Sequence, residues 1–357
     1  MYKPTDIPQV AEQLRQADPA LVLNEEAIIA EYQRSFDNRS GIAIKALIVL
    51  GGFMASLSFV GFLMLLQIYD SGTAMLVTGL GLCAGAVFLS RAYDKLVLDT
   101  MSISLYLSGL VMTGVGFEVL FHSSVPVLCL FYMLIAAATI IISQGYVFAF
   151  IAVLLFNGSV LGIMADGEAF ELVHLYIGVI SVALAWWMLN EAKLITTYRS
   201  FARLYTPVRA GLMVSLLAVL ASVGKRGLLD ISMNYIWLSS VAAIAIILYV
   251  VKHILVQLGK ADYQYKWLIY LSCVLWLLPT AFSPAIAGSV LILLLAFMVN
   301  YRPGVAISIA ALVYFIGQYY YDLNFTLLQK SILLFIPGVL MLAFYFFTAK
   351  VLANEKV

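Results

Sequence analysis

The chain has 357 residues, 64% of them hydrophobic and 11% charged, with a formal net charge of +1. Soluble domains carry roughly 25% charged residues, so this composition excludes a water-soluble enzyme. A near-neutral chain whose basic residues are spread among loops also offers no footing for nucleic acid.

Residues 1–40 are polar and punctuated by Pro4, Pro8 and Pro19, and they read as a short cytoplasmic arm. Asn24 can cap a helix with Glu25 and Glu26 in its first turn. Ile29, Tyr32 and Phe36 then recur on one face, a stripe that packs on the cytoplasmic ends of a bundle or, alternatively, docks on a partner or the membrane surface. No cleavable signal is expected, because its apolar core would fall within the first 30 or so residues.

From there on, apolar runs of bilayer-spanning length follow one another through short polar loops, and the expected fold is an all-α polytopic transmembrane bundle of about 12 spans. The first half, residues 41–190, holds spans near 46–68, 73–90, 97–121, 124–142, 145–164 and 170–190. A basic cytoplasmic loop is expected at 191–206. The second half, residues 207–350, holds spans near 207–223, 233–252, 266–281, 284–300, 303–321 and 326–348, before a cytoplasmic tail at 351–357. The joints within 124–164 and within 284–321 are so short that each pair must be a helical hairpin. Lysine and arginine concentrate in alternate loops, which puts both termini inside, and the opposite loops keep acids such as Asp70, Asp166, Glu168 and Asp322. Short loops and this bias point to a bacterial inner membrane. Spans four to six and ten to twelve share a rhythm of tight hairpin, acidic turn and closing helix. A 6 + 6 parallel duplication is one reading of that rhythm, and coincidence among apolar helices is the other.

Ionisable side chains inside a bilayer are costly unless paired, snorkelling or hydrated, so each is a candidate. Glu118, His174 and Lys330 fall at similar depth in the outer leaflet. With Tyr319, Tyr320, Tyr321 and Asp322 above them, they could line an outward polar pocket or contact a partner; snorkelling and an aromatic belt are the plainer alternative. Asn157 and Ser159 are midplane polar candidates, with interhelical hydrogen bonding as the structural reading. Gly79, Gly81, Gly85, Gly109, Gly114 and Gly116 sit inside apolar helices with no preceding strand, which favours close helix packing over a nucleotide site.

No catalytic signature emerges. Cys83, Cys129 and Cys273 lie inside apolar runs without disulfide or metal spacing and read as small buried hydrophobes. No catalytic residue, cofactor or metal is expected, and the loops are too short to fold a catalytic domain.

The run YYYDLNFTLLQKS, from Tyr319 to Ser331, followed by Gly338, resembles the C-terminal signature of an uncharacterised bacterial multi-pass membrane family, a domain of unknown function. The matching positions are Tyr320, Leu323, Thr326, Leu327, Leu328, Lys330 and Ser331. The resemblance implies a second, membrane-anchored protein with a GDYxxLxY-type motif as partner, and no activity. Two functions are therefore expected, in order: membrane component of a two-protein cell-envelope assembly, or secondary transporter of a small solute whose identity the sequence does not carry. Besides the lipid bilayer, that second protein is the expected partner.

Overall fold

The computed structural model describes residues 71–92, 96–143, 145–197, 199–224, 235–257 and 266–322, with isolated positions inside 51–62 and 328–346. The N-terminal arm, the spans expected at 46–68 and 326–348 apart from those positions, Lys330 and the tail lie outside the described residues. Among the described residues the chain is all α, and eight helices are long and apolar enough to cross a membrane.

Two compact units divide at His122 and Ser123. In the first, α1 (Gly72–Ala92) and α2 (Leu96–Phe121) pack along their length. Glycine makes this approach close. A Cβ on Gly116 would stand 2.5 Å from the Leu76 backbone nitrogen, and one on Gly79 would stand 2.5 Å from that of Thr113. Gly109 faces Gly79 and Cys83 in the same way, whereas Gly81 and Gly85 look into open space. The packing role expected of these glycines thus holds for three of them. Thr113 donates to Gly109 O at 2.7 Å, so the hydroxyl is satisfied within its own helix.

The second unit begins with two hairpin partners, α3 (Val125–Ile142) and α4 (Tyr146–Asp166). Ser124 is extended and Pro126 sits in the first turn of α3, where its missing N–H costs nothing. Glu168 closes α4 with φ 49° while Ala169 N–H reaches back to Met164 O, a left-handed stop of Schellman type. Then come α5 (Leu172–Leu189), α6 (Glu191–Thr197), α7 (Arg199–Gly224), α8 (Ile236–Gln257) and α9 (Lys266–Leu277). A 3-10 turn, Leu278–Phe282, leads to α10 (Pro284–Met298), and α11 (Arg302–Asp322) closes the unit. Asn300, at φ 52°, makes the turn between α10 and α11, with Tyr301 N–H donating to Ala296 O at 2.8 Å. Asparagine tolerates that backbone better than most residues. The second expected hairpin, within 284–321, is this α10–α11 pair.

At the centre is α10, fifteen residues of which nine are buried, far more than any surface helix would cover. It packs on α5, α7, α8 and α11, and Leu291, Ile292 and Leu295 mesh with Leu184, Leu216 and Leu220 in one core.

The loop expected at 191–206 is instead helical, formed by α6 and the first turns of α7. Its charges lower the hydropathy, but Glu, Ala, Lys, Leu and Arg are good helix formers, and no helix breaker occurs before Pro207. The helix α7 packs on α4 and α5 before it and on α10 and α11 after it, so elements of both halves interleave.

Candidate functional site

Chain direction sorts the ends of the second unit. One carries Lys193, Arg203 and Arg302, all exposed, and is the basic end; the other carries Asp166, Glu168 and Glu171, also exposed, and is the acidic end.

At the acidic end His174, one turn into α5, is 1% exposed, and its Nδ1 lies 2.8 Å from Ser239 Oγ on α8. One turn further along, a Cβ on Gly178 would touch Ala242, so the two helices run side by side along a face of small residues. Ser240 is fully buried with no hydrogen-bond partner for its hydroxyl, and both amide atoms of Gln318 on α11 are buried and likewise unpartnered. Removing one end of the His174–Ser239 bond should destabilise the unit modestly. A double-mutant cycle of His174→Ala and Ser239→Ala, read by thermal unfolding in detergent, is expected to give a coupling of about 0.5–2 kcal/mol. Strict additivity of the two variants would mean that the contact contributes nothing.

The residues expected at an outer pocket come from both units. Glu118 is exposed near the end of α2 in the first unit, His174 is sealed between α5 and α8, and Tyr319, Tyr320 and Tyr321 form the last turn of α11 before Asp322. Tyr321 is 82% exposed and meets Tyr320 edge to face, the centroids 5.7 Å apart. Lys330 and the Asp322 side chain fall outside the described residues. Of the midplane candidates, Asn157 accepts from Tyr176 OH at 2.8 Å and donates to Val153 O, which ties α4 to α5. Ser159 donates to Leu155 O in its own helix. Both have the structural partners that a dry interior demands.

The basic end holds a cluster that reading by span had passed over. Arg209, two turns into the apolar stretch of α7, is only 7% exposed. Tyr205 lies at i−4 on the same face, and Tyr301 comes in from the α10–α11 turn. Their rings stand 4.9 and 3.8 Å from the guanidinium carbon. Glu191, at the start of α6, is 3.8 Å from Arg209 Nη1, an ion pair longer than a hydrogen bond. Trp187 of α5 stacks on Tyr205 at 6.3 Å and donates from its indole to Tyr205 O, fixing the inner wall. The Arg209 Nε is buried without a hydrogen-bond partner, and the Tyr205 hydroxyl is buried beside Arg209 and Glu191 without a close hydrogen bond. The signal available beforehand was an arginine inside a span with tyrosine one turn earlier; the other partners are too distant in sequence to be paired by inspection.

Apolar helices in this number, bonded to one another by sparse buried polar groups, define a multi-pass membrane protein. The chain belongs to the family described as Domain of unknown function (DUF4401), whose model matches residues 42–351. No curated protein and no solved structure matches it.

Proposed function

We propose that this protein is the membrane-embedded component of a two-protein assembly in the bacterial cell envelope, with no catalytic role of its own. The observation that carries the reading is the end of α11. Tyr321 projects from the described part of the unit, its exposed ring braced by Tyr320, at the point where the family-like signature begins. Aromatic residues supply large contact area at low entropic cost, which suits a docking rim. The positive-inside bias puts both termini in the cytoplasm of an inner-membrane protein, so this rim faces outward.

Purification from native membranes in mild detergent, with mass spectrometry of the product, tests the reading. A stoichiometric second membrane-anchored protein is expected, and it should be lost with Tyr321→Ala and Lys330→Ala while the bundle itself survives. A solitary protein would overturn the proposal. Transport of a small solute is the second reading, favoured by the short, buried α10 that starts after a 3-10 turn, the kind of broken helix on which transporters build midplane sites. One small molecule retained reproducibly by a solitary protein would support it.

A further inference from the structure

We propose that Arg209 is the anchor of a binding site for a phosphate-type oxyanion at the basic end of the second unit. A guanidinium taken out of water needs both charge balance and hydrogen bonds, and Arg209 is given little of either. Its charge faces two tyrosine rings and a carboxylate at 3.8 Å, and its Nε has no acceptor. The Tyr205 hydroxyl is buried beside Arg209 and Glu191 and makes no close hydrogen bond to either. Aromatic faces hold the guanidinium plane rigid and leave its N–H edges as the reactive rim. That rim matches an oxyanion taken through two parallel hydrogen bonds, with the tyrosine hydroxyl as a third donor.

The surroundings favour the same ligand. Lys193, Arg203 and Arg302 give this end a positive field that draws anions in. Among the described residues Glu191, about one-third exposed, is the carboxylate paired with Arg209, and its long contact suits a placeholder that an incoming oxyanion displaces. The anion can arrive as the headgroup of an acidic phospholipid in the adjoining leaflet or as free phosphate, since both present the same oxygens.

The competition gives a test that a purely structural ion pair would fail. Full-length protein in zwitterionic nanodiscs is titrated with inorganic phosphate. In parallel, protein in discs doped with phosphatidylglycerol is assayed for bound lipid by native mass spectrometry, against phosphatidylcholine as control. Arg209→Gln should weaken binding roughly tenfold or more, and Arg209→Lys, which keeps the charge but not the fork, should weaken it measurably. Glu191→Gln should tighten it about threefold, because the resident carboxylate no longer competes. Selective loss of phosphatidylglycerol in the arginine variants identifies a lipid site, and selective loss of the phosphate response identifies a solute site. The proposal is overturned if wild type binds neither probe, or if Glu191→Gln lowers thermal stability without tightening either. Should Arg209→Gln fail to fold, the opposite directions expected of Arg209→Lys and Glu191→Gln decide alone.

Discussion

Gly116→Leu is expected to force α1 and α2 apart, costing about 3 kcal/mol or more and most of the folded yield of the first unit. The reason lies in what the new side chain would meet. A Cβ there falls 2.5 Å from the Leu76 backbone nitrogen and 2.9 Å from the Met75 carbonyl carbon. Backbone cannot rotate aside as a side chain can, so the helices must separate, and in lipid no hydrophobic drive holds them together once packing is lost. Gly81→Leu is the control, because a Cβ there meets nothing within 4 Å and leucine is the better helix former. Thermal unfolding in detergent and limited proteolysis should separate the two variants sharply. Equal stabilities would show that the close approach is not what holds the pair.

Gly288→Leu tests the other unit, and here the obstruction can be removed. The position lies in the second turn of α10, and its added carbon would run into the Leu220 side chain of α7. Overpacking of this kind costs about 1–3 kcal/mol. Leu220→Ala alone should also destabilise, since Leu220 is fully buried in the core around α10. Together the two changes exchange volume across one contact, so the double variant should be more stable than the sum of the two losses implies. Simple additivity would mean that α7 and α10 do not meet at that pair.

The contrast between these glycines also marks how far the sequence could be read. Positions of the described spans were legible because apolar length is a property of each segment alone. Both hairpins, 124–164 and 284–321, followed from joints too short to allow anything else. Hydropathy misled at 191–206, where charge on the exposed face of a short helix and of the helix start after it looks the same as charge in a loop. Glycine in a span announced close packing without saying which glycines would be used, since the choice among Gly79, Gly81 and Gly85 depends on which side of α1 meets α2.

The candidate sites were less legible for the same reason. His174 stood out as an ionisable residue in a span, but its partner Ser239 is 65 residues away and one of many serines. Arg209 was visible only as one more basic residue near a helix start. What distinguishes it is the convergence of α6, α7 and the turn before α11, which is tertiary information.

One dimension of α10 reaches beyond the protein to the membrane around it. Fifteen residues at about 1.5 Å each give about 22 Å, against a hydrocarbon layer of about 30 Å. Long helices such as α8 and α11 match the full layer while α10 does not, so at least one end of α10 stops short of the layer's surface. The missing depth is then taken up by the turns at its ends or by water that descends to them, and non-helical backbone at that depth is tolerated because the longer helices shield it from lipid. The short central helix thus leaves room for polar groups within the span of the layer, at a place in the unit where protein and not lipid surrounds them.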